Sequence, residues 1–255
     1  MKFFKGAIPI IFAGMGLFAG QAWATAITVN NFSFETPALS SGGFTTVCPP
    51  SWTCTAAGGS QTFGGGEYFP TNTQFPSGSN GLTGGKLVPD GNNAAYDTGF
   101  LPSTIRQDTA ATIANNTIYT LDVWAGRRND QASVWPKTPT IQILANGIAI
   151  ASLAVPEPIS GHWLDNTLTY TAGPSDIHAG QTLGILLLLN QQSNGDSTVS
   201  QVAWDDVTLD AAPQNVVPEP APLLLLGSGL VGLAAWRRKE WASVHTQRVE
   251  LATSC

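Results

Sequence analysis

The chain has 255 residues, 43% of them hydrophobic, and carries 11 Lys plus Arg against 17 Asp plus Glu, for a net charge of −6. An acidic surface repels nucleic acid and anionic lipid, which excludes a polyanion-binding role. The apolar content is too high for a disordered chain and fits a folded core.

The first 24 residues have the layout of a secretory signal peptide. Lys2 and Lys5 supply the charged start, residues 6–20 the apolar run, and Ala22-Trp23-Ala24 a small-x-small cleavage site with cleavage after Ala24. The other reading is a permanent N-terminal anchor, against which the short, Gly-interrupted run argues. Residues 25–217 then carry five Lys or Arg and fourteen Asp or Glu, a net charge of −9. That many carboxylates also suits hard cations such as Ca²⁺.

Cys48 and Cys54 enclose Pro49-Pro50-Ser51-Trp52-Thr53, a tight loop that suits a local disulfide in an oxidising compartment; free thiols are the alternative. Residues 58–66 and 77–85 read as long surface loops. Tyr119, Leu121, Val123 and Ala125 alternate with Thr120, Asp122, Trp124 and Gly126, the pattern of a strand with one buried face. Residues 141–145 and 148–153 flank Asn146-Gly147, a two-residue hairpin signal, because both residues tolerate positive φ. Residues 183–189 are almost continuously apolar and predict a central strand covered on both faces. Residues 199–209 supply a last strand. Helix signals are nearly absent, so the sequence predicts a single all-β domain over 25–212.

After a linker over 213–220, Val217-Pro218-Glu219-Pro220 leads into an apolar segment over 221–236. Arg237-Arg238-Lys239 then act as a basic stop at the head of a cytoplasmic tail over 237–255. Sixteen residues at about 1.5 Å each make a short transmembrane helix of about 24 Å. This three-part tail resembles the PEP-CTERM sorting signal, which implies transient anchoring in the inner membrane. It also implies processing at Pro-Glu-Pro by an exosortase-type enzyme and delivery to the cell surface or extracellular matrix. An earlier Val155-Pro156-Glu157-Pro158 lacks the apolar segment and reads as a Pro-stiffened loop.

Four short stretches, in order, resemble the galactose-binding-like jelly roll of bacterial carbohydrate-binding modules. They are Asn31-Phe32-Ser33-Phe34-Glu35 as an opening strand; Ile105-Arg106-Gln107 with Tyr119-Thr120-Leu121; His162-Trp163 with Leu168-Thr169-Tyr170; and Trp204-Asp205-Asp206-Val207-Thr208-Leu209 as a closing strand. The resemblance implies a jelly-roll β-sandwich in which the first and last strands lie close. It further implies a structural Ca²⁺ held by Glu35 with Asp205 or Asp206. The competing reading of these carboxylates is ordinary hydrogen bonding at strand ends.

Exposed aromatic planes beside planar donors suit a sugar ring. Trp124, with Arg127, Arg128 and Asp130 just beyond it, is the candidate carbohydrate-binding set, and exopolysaccharide the candidate ligand. Tyr68, Phe69, Trp135 and Trp163 are assigned to core or loop anchoring. His162 and His178, the histidines of the domain, have no catalytic motif around them. The sequence reading is therefore a non-catalytic exported module. A structural or adhesive surface protein without a sugar site is the alternative, and a glycan hydrolase the distant one.

Overall fold

The computed structural model describes residues 23–56, 64–99, 102–130, 135–136, 138–190 and 200–214. The signal peptide over 1–22, the Pro-Glu-Pro motif, the sorting helix and the cytoplasmic tail lie outside the described residues. Among the described residues no helix is long and apolar enough to cross a membrane.

The described chain forms eleven strands in order: β1 (Thr25–Ile27), β2 (Thr53–Ala56), β3 (Gly66–Tyr68), β4 (Ala94–Gly99), β5 (Ser103–Thr112), β6 (Thr117–Arg127), β7 (Thr140–Ala145), β8 (Ile148–Ala154), β9 (His162–Ala172), β10 (Thr182–Leu189) and β11 (Ser200–Pro213). One sheet runs β3-β4-β11-β6-β9, with β1 also paired to β11; the other runs β2-β5-β10-β7-β8. The pairings are antiparallel, and the two sheets form the predicted jelly-roll β-sandwich.

The alternation read from β6 holds. Tyr119, Leu121, Val123 and Ala125 are buried in the main core with Ile141, Ile143, Leu183, Ile185 and Trp204. Burying each large side chain stabilises the fold by about 1.5–3 kcal/mol. The Asn146-Gly147 turn joins β7 to β8 with φ of 47° and 83°, as a primed turn requires. The Pro156-Glu157-Pro158 stretch lies in the β8–β9 connection, where Glu157 pairs with Arg127 at 2.5 Å.

Two expectations are corrected. β10 is central, between β5 and β7, but Leu186 and Leu188 on its outer face are half-buried rather than covered. Asn31-Phe32-Ser33-Phe34-Glu35 is a turn rather than a strand, with Asn31 at φ 50° and Phe34 at φ 56°. Asn31 side-chain amide bonds to the carbonyls of Thr36 and Pro50 hold that turn closed, and β1 precedes it.

A second apolar cluster covers the outer face of the first sheet. Phe75, Leu82 and Val88, from the segment between β3 and β4, pack on Tyr68, Tyr96, Trp124, Trp163 and Ala203. Trp163 is its anchor. Its ring stacks on Phe75 at 4.5 Å, and its indole N–H donates to the Leu87 carbonyl at 3.0 Å. Gly126 sits under that ring, where an added Cβ would fall 2.7 Å from it.

Candidate active site on the outer face of the first sheet

The strand order sets side chains from distant segments side by side. Tyr68 faces Ala94 across β3–β4, and Ala203 lies between Tyr96 on β4 and Gly126 on β6. Along the free edge of β3 runs the segment 42–45. It is bonded through Gly42 N–H to the Phe69 carbonyl at 3.0 Å, Phe69 N–H to the Gly43 carbonyl at 2.9 Å, and Thr45 N–H to the Glu67 carbonyl at 2.7 Å. Tyr96 fixes it further by donating its hydroxyl to the Thr45 carbonyl at 2.7 Å.

This edge segment lifts Phe44, 67% exposed, beside a cavity of about 360 Å³. Phe44, Tyr68, Phe69 and Tyr96 wall it, with Gln74, Arg128 and Gln201 as its polar side chains. Tyr68 and Tyr96 meet edge to face at 5.6 Å, the preferred geometry for two aromatic quadrupoles. The Arg128 guanidinium lies 5.7 Å over the Tyr68 ring. Asp130 grips it from behind through Nε at 3.0 Å and Nη2 at 2.8 Å. Burial raises the Tyr68 phenol well above its ordinary range, against the opposing pull of Arg128, so it stays protonated. Its hydroxyl is buried with no partner among the described residues.

The residues singled out from sequence divide. Arg128 lines the cavity. Trp124 points to the outer face as its alternation predicts but is half-buried against the second cluster and lies outside the cavity lining. Arg127 pairs with Glu157, and Asp130 serves Arg128. Tyr68 and Phe69, assigned to anchoring, belong to the cavity wall, although Tyr68 is also part of the second cluster. Cys48 and Cys54 form the expected disulfide.

Glu35 and Asp205 meet through a loop. Glu35 Oε1 accepts the amides of Asn92 and Asn93, each at 2.7 Å, and Asp205 Oδ2 accepts the amide of Asp90 at 3.0 Å. A Cβ on Gly91 would fall 2.3 Å from Glu35 Oε1, so this tight approach needs glycine. Asp205 is fully buried. Burial raises its carboxyl well above the ordinary range, and Asp206 beside it is raised for the same reason, reinforced by Asp90. Among the described residues no three His, Cys, Asp or Glu side chains converge as a metal-ligand set. Two buried oxygens of these residues, Asp205 Oδ1 and Asn93 Oδ1, have no partner among the described residues, and oxygen donors of this kind are the type that a hard cation takes.

Together these features define a small β-sandwich with an aromatic-walled cavity on one sheet. Residues 25–210 match the HpiC1 cyclase family, and the chain belongs to it. Residues 216–239 match the PEP-CTERM protein-sorting motif, so the chain carries the signal for export and C-terminal anchoring that its tail suggested. Among solved structures, the apo form of a cyclase from Fischerella sp. is 25% identical, covers 76% of this chain and 98% of its own, and has a TM-score of 0.64. The Stig cyclase Fisc from Fischerella sp. TAU, in complex with (3Z)-3-(1-methyl-2-pyrrolidinylidene)-3H-indole, is 24% identical, with coverages of 75% and 99% and a TM-score of 0.63. A carbohydrate-binding module in complex with β-1,4-galactotriose is looser, at 11% identity, coverages of 72% and 98%, and a TM-score of 0.43. No curated protein matches the chain.

The family overturns the expectation of a non-catalytic module, because its members are cyclases and cyclases are enzymes. The histidines His162 and His178 carry no catalytic motif in the sequence. A cavity walled by Tyr68 and Tyr96 from two strands and by Phe44 and Phe69 from the segments beside them leaves no contiguous motif in the sequence.

Proposed function

We propose that the chain is an exported cyclase that acts beyond the inner membrane, at the cell surface or in the extracellular matrix, after exosortase-type processing. Its substrate is a small flat aromatic bearing an unsaturated chain, and the cavity beside Phe44 is where it reacts. The observation that carries this reading is the aromatic wall of Phe44, Tyr68, Phe69 and Tyr96 around about 360 Å³. An indole of the kind held by the Fischerella relative is the first substrate class to try.

In such an intramolecular cyclisation the chain's π bond and one ring C–H bond give way to a new carbon–carbon bond to the ring and a new C–H bond on the chain; one proton is taken up and one released, so the product keeps the substrate's mass. The protein's first contribution is to hold the flexible chain folded over the ring, which removes much of the entropic part of the barrier. Four aromatic walls suit that task because they grip an apolar chain without fixed charge. Gln201 adds a neutral hydrogen-bond donor to the cavity, held in place by Arg128, which is itself gripped by Asp130.

A structural Ca²⁺ would be held by Glu35 and Asp205 with the unpaired Asn93 Oδ1, and Asp206 borders the same point. It would fix the 90–93 loop and hence the start of β4, which carries Tyr96 to the cavity. A melting temperature that rises with Ca²⁺ and falls on chelation supports this, and an unchanged one removes it. Exopolysaccharide at the surface would meet the exposed end of β6 around Arg127 and Asp130. Retention on the host's polysaccharide that is lost in Arg127→Ala tests that contact.

The cyclase reading is tested by incubating the exported domain with a 3-alkenylindole and separating the products. A new isomer of unchanged mass supports it. Recovery of unaltered substrate across a panel of such indoles, with no binding to the domain, sinks it.

A further inference from the structure

We infer that the cavity selects a neutral aromatic ligand carrying a hydrogen-bond acceptor, and that Gln201 and Gln74 read that acceptor; the inference rests on the cavity being the substrate site. Both glutamines line the cavity, Gln201 from β11 and Gln74 from the segment that covers the sheet. Each has already committed its carbonyl. Gln201 Oε1 accepts from Arg128 Nη1 at 3.3 Å, and Gln74 Oε1 accepts from the Thr71 amide at 2.8 Å.

These assignments follow from the partners. A guanidinium and a backbone N–H only donate, so the amide oxygen must face each of them. The NH₂ groups of both side chains are therefore left over, with no partner among the described residues. An amide NH₂ is a donor only, and in this cavity it is free to donate to a carbonyl, imine or ether acceptor of the ligand.

Charge argues for neutrality. Arg128 is the one cationic side chain in the cavity lining, and its fork is engaged by Asp130 at 3.0 and 2.8 Å. A guanidinium matched by its own carboxylate has little left to offer a ligand anion. Tyr96 donates its hydroxyl to Thr45 and so adds no free donor. The donors left to a ligand, the two amide NH₂ groups and the unpartnered Tyr68 hydroxyl, are thus all neutral and set in an aromatic wall.

The probes are 3-acetylindole, 3-ethylindole and indole-3-carboxylate, measured by calorimetry on the exported domain. The first two have nearly the same shape and differ by one carbonyl oxygen. 3-Acetylindole should bind at least about tenfold tighter than 3-ethylindole and tighter than the carboxylate. In Gln201→Leu and Gln74→Leu, each checked for an unchanged melting profile, the acetyl-over-ethyl preference should shrink. Equal affinity for the acetyl and ethyl probes, or a preference for the carboxylate, overturns the inference while leaving an aromatic site in place. Failure of all three to bind overturns the site itself.

Discussion

Arg128 stands 5.7 Å over the ring of Tyr68, and Asp130, two residues on, holds it there through a two-pronged ion pair with Nη2 at 2.8 Å. One guanidinium therefore serves as a wall, a cap on an aromatic face and a clamp on Gln201, with its charge answered from within the protein. The pair is only partly exposed, so it is screened less than a surface salt bridge.

Removing the answer should change the ligand. In Asp130→Asn the shape is kept but the carboxylate charge is gone, which uncovers Arg128. Affinity for indole-3-carboxylate should rise by about tenfold, the equivalent of roughly 1.4 kcal/mol, while affinity for 3-acetylindole changes little. Titration calorimetry on the two proteins reads both. An unchanged or weaker affinity for the carboxylate in the variant would show that Asp130 does not shield the guanidinium.

The sandwich interior carries two carboxyls whose ionisation opposes folding. Burial pushes Glu67 up to about 7, against the hydrogen bond from Asn31, and Asp97 up to about 7, against those from Ser103 and Thr98. Each also leaves one oxygen unpaired, Glu67 Oε2 and Asp97 Oδ2. Because their folded values lie above the ordinary 4.5 and 3.8, both groups hold their protons in the folded state where the unfolded chain has lost them. The stability they allow is complete below about pH 4 and is lost as pH rises through about 7. Thermal melts between pH 5 and 8 should show the wild type losing more stability on going alkaline than Glu67→Gln/Asp97→Asn. Parallel pH profiles for the two proteins would contradict the assignment.

The Cys48–Cys54 disulfide closes a loop with a sequence separation of 6, whose Trp52 enters the main core and donates its indole N–H to the Asn31 carbonyl at 3.2 Å. A loop this short limits the entropy that the link removes from the unfolded chain. Cys48→Ser/Cys54→Ser should cost about 2 kcal/mol in denaturant unfolding. A cost near zero would mean that the packing of Trp52 holds the loop without the link.

Legibility from sequence followed the range of the signal. The Asn146-Gly147 turn and the β6 alternation are local patterns with a direct backbone cause, and the structure has both. The sorting tail is local too, since its three parts are contiguous. Asn31-Phe32-Ser33-Phe34-Glu35 is expected to be a strand because it resembles the opening strand of bacterial carbohydrate-binding modules. The side-chain bonds of Asn31 to Thr36 and Pro50 turn the chain instead, and no periodicity predicts them. The cavity was least legible. Phe44, Tyr68, Tyr96 and Gln201 are far apart in the chain and meet only because β4 lies between β3 and β11. Trp124 has the right alternation, but the covering segment that half-buries it lies elsewhere in the chain.

The proposed function places catalysis in the cavity walled by Phe44, Tyr68, Phe69 and Tyr96. Turnover of a 3-alkenylindole to an isomer of equal mass, compared across wild type, Phe44→Ala, Gln201→Leu and Arg106→Ala, tests it most directly. Phe44 is exposed enough to be truncated without unfolding the domain, and Arg106 pairs with Asp108 on the opposite sheet. At least tenfold losses in kcat/KM are expected for the first two variants, and wild-type turnover for Arg106→Ala. Full turnover in both cavity variants would contradict that placement.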